Sequence, residues 1–93
     1  MIVGIMTVEL HISGATTLKE KRRVLKSMID RIRSKYNVSI AEVDNQNLWQ
    51  RATLGVAAVS NETSHVNQML DTVIKTIKFN GEADLMDYSI EIL

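Results

Sequence analysis

The order in which the hydrophobic period changes along this chain is the strongest constraint on its fold. Ile2, Gly4, Met6, Val8, Leu10 and Ile12 occupy every second position and form one nearly unbroken apolar face. A period of two predicts a strand over residues 2–12, with Val3, Ile5, Thr7, Glu9 and His11 on a mixed second face. Ser13–Thr17 is a turn cluster, after which the period lengthens. Thr17-Leu18-Lys19-Glu20 fits a capping box, in which hydroxyl and carboxylate satisfy each other's backbone donors. Leu18, Leu25, Met28, Ile29, Ile32 and Tyr36 then recur at helical spacings, predicting a helix to about Tyr36 with that stripe buried.

The second half repeats the alternation. Val38–Asp44 reads as a short strand with both faces partly apolar, so its register is ambiguous. Asn45–Gln50 is a polar loop carrying Leu48 and Trp49. Arg51–Ser60 is a third strand, with Ala52, Leu54, Val56 and Ala58 on one side and Thr53, Gly55, Ala57 and Val59 on the other. Asn61 is a candidate N-cap, and residues 62–78 place Val66, Met69, Leu70, Val73 and Ile77 on one helical face. Asn80-Gly81 ends that helix, and Leu85–Leu93 closes as a strand with Met86, Tyr88, Ile90 and Ile92 inward.

Strand, helix, strand, strand, helix, strand is the split βαβ arrangement, an α+β ferredoxin-like sandwich. It predicts one domain over 1–93, a four-stranded antiparallel sheet in the order 4-1-3-2, and both helices on one face. The other face is then open. Val3, Ile5, Ala57 and Val59 fall there, and a contiguous apolar strip on a sheet face marks a partner surface. The expectation is a homodimer through this strip; an ordinary exposed sheet is the competing reading.

Composition narrows the function classes. The chain has 93 residues, 45% of them apolar and 24% charged, with no cysteine and no proline. Disulfides, thiol nucleophiles and cysteine-based metal sites are thereby excluded. The apolar run Leu54–Val59 falls far short of the roughly 20 residues a membrane helix needs. The amino-terminal stretch lacks the basic region and cleavage site of a signal peptide, so a cytoplasmic protein without membrane association is expected.

The net charge of zero conceals a strong asymmetry. Residues 17–36 hold eight basic residues against two acidic, a net of +6, and the rest of the chain carries −6. On a helical wheel Lys19, Arg22, Lys26 and Arg33 fall within about 60° of one another, with Arg23 just beyond and Lys21 on the other flank. Cations in a first helical turn oppose the macrodipole, an arrangement that suits phosphate binding. The competing reading is a solvated face whose long stems cover the edge of the core. The topology brings the 45–50 loop to the start of this helix, so Trp49 and Arg51 can extend the basic stripe by stacking on a base, or Trp49 can fold over the core. Glu42 and Asp44 alternate to one side of their strand, and an ion pair with Arg51, Lys21 or Arg22 is their simplest role. No metal or cofactor is expected.

Several activities lack their residues. The central strands carry no aromatic for an RNA-recognition sheet. There is no Gly-x-x-Gly loop, no phosphate loop, and no serine with a base and orienter in pattern. No catalytic constellation is visible, and the chain is not expected to be an enzyme.

Leu18-Lys19-Glu20-Lys21-Arg22-Arg23, Ala41-Glu42-Val43-Asp44, Leu48-Trp49-Gln50-Arg51, Ser60-Asn61 and Tyr88-Ser89-Ile90-Glu91-Ile92-Leu93 together resemble the YlxP-like family of bacterial domains of unknown function. The resemblance spans essentially the whole chain. It implies a small bacterial cytoplasmic protein with a ferredoxin-like fold. Its members are often encoded near translation-initiation and ribosome-maturation genes, which implies a link to RNA or the ribosome. The resulting expectation is a non-enzymatic domain that binds RNA or a ribosomal surface through Lys19, Lys21, Arg22, Arg23, Lys26, Arg33, Trp49 and Arg51. The alternative is a homodimeric regulatory module for a small anionic metabolite.

Overall fold

A computed structural model describes residues 1–93 and has the expected order: β1 (Ile2–His11), α1 (Leu18–Lys35), β2 (Ser39–Asp44), β3 (Arg51–Ser60), α2 (Thr63–Lys78) and β4 (Asp84–Ile92). The four strands form one antiparallel sheet in the order β2-β3-β1-β4. Met6, Val8 and Leu10 of β1 and Ala52, Leu54, Val56 and Ala58 of β3 are buried on the helix side. Leu25, Met28 and Ile32 of α1 and Val66, Leu70, Val73, Ile74 and Ile77 of α2 complete the core. The α1 stripe also includes Val24, which is buried, while Leu18, Ile29 and Tyr36 are only half-buried. Tyr36 ties the two helices by a 2.8 Å hydrogen bond between its hydroxyl and that of Thr76.

Gly4 is set by the close approach of α2. A Cβ there would collide with Val66 Cγ1 and lie 3.1 Å from Leu70 Cδ1. The gap in the apolar face of β1 is therefore where the second helix crosses nearest to the sheet.

Four local expectations change. The ladder of β2 slips between Glu42 and Asp44, so Glu42 stands opposite Leu54 while Asp44 stands opposite Thr53. The extra residue, Val43, lies over Gly55, and the two carboxylates point to opposite faces rather than one. In β4 a similar slip puts Leu85 opposite Leu10 and Asp87 opposite Glu9. Leu85 takes the inward place predicted for Met86, and Met86 is exposed. The N-cap of α2 is Glu62 rather than Asn61, and its side chain makes no capping bond. Ser60 instead accepts from the Glu62 N–H at 3.4 Å and lies 2.9 Å from His65 Nδ1. At the start of α1, the Thr17 hydroxyl accepts from the Glu20 N–H as expected, but Glu20 reaches one residue further back, to the N–H and hydroxyl of Thr16.

Candidate polyanion-binding face

The residue that organises this region is Lys21. It lies on the same helical stripe as Leu25, Met28 and Ile32 and is completely buried. Its ammonium makes a 2.9 Å ion pair with Glu42 and donates to the carbonyls of Asn45, Gln46 and Arg51 at 2.9, 3.3 and 3.1 Å. An ammonium has three protons, and four acceptors surround this one. Lys21 is therefore removed from the phosphate-binding set: it has neither exposure nor a free donor. Glu42 faces inward by alternation with Ile40 to meet it, and the Val43 bulge that follows turns Asp44 to the other face.

The same contacts fix the β2–β3 loop against the start of α1. Asn45 adopts a left-handed φ of 62°, which asparagine tolerates, and its carbonyl closes a turn by accepting from the Leu48 N–H at 3.1 Å. The Asn45 amide donates to the Thr53 hydroxyl at 2.9 Å, and that hydroxyl donates to Glu9 at 2.7 Å. From the other side, the Gln50 side chain donates to the Ser13 and Ala15 carbonyls, and its own carbonyl accepts from the Ile12 N–H at 2.8 Å. A loop held at both ends displays its middle. Trp49 is 56% exposed and Leu48 46%. Trp49 thus does not fold over the core.

Among the remaining basic residues the stripe is unequal. Lys26 is exposed and pairs with Asp30 one turn on at 2.7 Å. Arg33 donates to the Ile40 carbonyl at 2.7 Å, tying α1 to β2. Arg51 reaches only to 4.0 Å from Glu9 and is largely exposed. Lys19, Arg22 and Arg23 are exposed and make no ion pair within 4 Å. Glu20 lies beside Arg23. The Thr16 backbone N–H and hydroxyl, aided by Arg23, hold its carboxyl below the usual carboxylate range.

Two of the concavities that flank the helix are lined by residues of the basic stripe. One is an open groove of about 390 Å³ along α1 and β2, with Arg22, Lys26 and Arg33 facing Asp30 and Glu42. The other, about 300 Å³, lies between the β1–α1 and α2–β4 turns, where Arg23 faces Glu20 and Glu82. Two carboxylates against one guanidinium make the second a poor receptor for a small anion.

Val3, Ile5, Ala57 and Val59 form one block on the open sheet face, since Val3 stands opposite Val59 and Ile5 opposite Ala57. Only Val59 is strongly exposed; the other three are half-buried.

Sequence reasoning missed Gln50 as a loop anchor and the inward turn of Lys21. The second was detectable, because Lys21 sits four residues before Leu25 and seven before Met28 on the apolar stripe.

The family description "Protein of unknown function (DUF503)" matches residues 3–90. The chain belongs to the DUF503 family. A DUF503 relative, the "Uncharacterized protein YlxP" of Bacillus subtilis (strain 168), is 41% identical over 76 residues, covering 82% of this chain and 83% of that protein. Two designed proteins share the fold. One described as having a ferredoxin fold, "De novo designed protein LFR1 1", superposes with a TM-score of 0.61 at 13% identity, covering 98% of this chain and 86% of its own. The "De novo designed protein Foldit4" gives 0.56 at 8% identity, over 100% and 97% of the two chains. These likenesses establish the DUF503 architecture and nothing of its chemistry. No helix is long and apolar enough to cross a membrane.

Proposed function

We propose that this domain is a non-enzymatic binding module that holds a single-stranded RNA segment, of the ribosome or free, across the start of α1 and the β2–β3 loop. The observation that carries this reading is that buried Lys21 pins the loop bearing the exposed Trp49 to the same turn of α1 that carries three unpaired cations, Lys19, Arg22 and Arg23, on its outer side. Spacings of three and four residues set the three cations along one side of the helix. Phosphates would run along that row, and a base would stack on Trp49 with Arg51 at its edge. Lys26 and Arg33 border the groove beside the row and would add contacts after releasing Asp30 and the Ile40 carbonyl.

The test is salt-dependent binding of a single-stranded RNA. Each phosphate contact should contribute about −0.7 to the slope of log affinity against log salt. Replacing Lys19, Arg22 and Arg23 together by glutamine should flatten that slope by roughly two units without lowering the melting temperature. Trp49→Ala should weaken binding by roughly 1–3 kcal/mol with little change in slope. Absence of binding at low salt overturns the reading. Saturable binding of a small phosphorylated metabolite, with a shallow salt slope and no response to Trp49→Ala, would favour the metabolite-binding alternative.

A further inference from the structure

We propose that β4 is a pairing edge, through which two copies of this chain join antiparallel about Ile90 into a continuous eight-stranded sheet. The inference starts from the phase of the backbone. Gly4, Met6 and Val8 stand opposite Ile92, Ile90 and Tyr88, and the Leu93 N–H donates to the Val3 carbonyl at 2.8 Å. In an antiparallel ladder that bond makes Val3 and Leu93 a hydrogen-bonded pair, so Glu91 and Ser89 bond to β1 and the residues between them do not. The N–H and C=O groups of Tyr88, Ile90 and Ile92 therefore point off the free edge of the sheet. Tyr88 illustrates the consequence: its N–H, turned away from β1, donates to the carboxylate of its neighbour Asp87 at 2.9 Å.

The side chains of these residues tell the same story. All three lie on the helix side, yet they are 40%, 39% and 37% exposed, whereas Ile40 at the opposite edge is 1% exposed. The helix layer buries Ile40 of β2 but leaves Tyr88, Ile90 and Ile92 of β4 partly uncovered. A long edge with free donors and a half-covered apolar row is a template for another strand. β4 carries no lysine or proline to prevent it, and its bulge lies at its start, away from Tyr88–Ile92.

Charge selects the partner and the register. Asp87, Ser89 and Glu91 occupy the other side of the strand, opposite Glu9, Thr7 and Ile5. Pairing about Ser89 would set Asp87 against the second copy's Glu91 twice, and pairing about Glu91 would set two glutamates face to face; both are disfavoured. Pairing about Ile90 sets each Glu91 against Ser89, Ile90 against itself and each Tyr88 against Ile92. Pairing about Tyr88 would run Ile90 and Ile92 across the bulge between Leu85 and Asp87, so the register about Ile90 is the one that engages all three outward residues on regular strand while separating the acids. The self-match identifies a second copy as the occupant, in an isologous contact.

The absence of cysteine makes the test clean. At rising protein concentration, sedimentation should approach twice 10.5 kDa. Amide exchange at Ile90 and Ile92 should slow roughly tenfold or more over the same range, while Ser89 and Glu91, already bonded to β1, change little. Ile90→Lys should restore the monomer and fast exchange. As a second variant, Ile90→Cys should be cross-linked to itself by a short bis-maleimide, and Val59→Cys on the open face should not. A monomer at millimolar concentration overturns the proposal. So does a dimer that withstands Ile90→Lys or cross-links through Val59, which would place the contact on the open sheet face. RNA binding by the monomer is read separately and does not bear on these outcomes.

Discussion

Lys21 is the residue on which the candidate site turns. Burying an ammonium is unfavourable unless its protons are all used, and here a carboxylate and three carbonyls use them. Removing one partner of such a pair is costly because the other stays behind. Lys21→Met should destabilise the domain by about 3–5 kcal/mol in denaturant unfolding, with the double variant Lys21→Met, Glu42→Leu recovering part of the loss. The same variant should make Trp49 more accessible to a collisional quencher, since the loop loses its anchor. Glu20 is a second, milder case. Hydrogen bonds from Thr16 lower its folded-state pKa, so its contribution to stability is present above its unfolded value and lost as pH falls through the folded one. Glu20→Gln should therefore differ in melting temperature from the parent at neutral pH and converge with it in acid, and an NMR titration of Glu20 should have its midpoint below the ordinary glutamate range.

Among the elements, α2 packs closely on β1. Gly4 lies beneath Val66 and Leu70, both fully buried, so an added methyl has no room. Gly4→Ala should cost roughly 1–3 kcal/mol by displacing α2, measured as a lower unfolding midpoint at unchanged m-value. The comparable glycine on the open face, Gly55, lies beneath Val43, whose bulge is exposed. That neighbour can move, so Gly55→Ala should be milder. The two edge strands differ for a related reason: α1 is fastened to β2 by Lys21 and Arg33, whereas α2 reaches β4 at its end through Lys78, whose ammonium stands 5.8 Å from the centre of the Tyr88 ring.

For the whole molecule, β2 and β4 are the opposite edges of the sheet, and α1 lies over the β2 side. Pairing through β4 would carry the two α1 faces to the far ends of the assembly. One site would then bind a short oligonucleotide, and both would bind a long strand with gain from effective concentration. Ile90→Lys should leave affinity for a short RNA unchanged and weaken that for a long one by tenfold or more. Equal losses for both lengths would place Ile90 within the RNA contact.

The order of elements, the sheet order and the inward faces of β1 and β3 were legible in the sequence, because each rests on a period that local side chains set. The basic spacing on α1 and the approach of the 45–50 loop to the start of that helix were legible too, from spacing and topology. Only the tertiary structure decided what each cation does. The apolar stripe separates Lys21 from its neighbour Arg22, but only the assembled loop supplies the oxygens that cage the one while the other stays exposed. The bulges at Val43 and Met86 escaped periodicity for the same reason: an extra residue is specified by what packs beneath it, here Gly55 for Val43, and not by the strand's own pattern. The unpaired edge of β4 is likewise a property of the assembled sheet, since which backbone groups face outward depends on the hydrogen-bond phase with β1, which side-chain alternation alone does not determine.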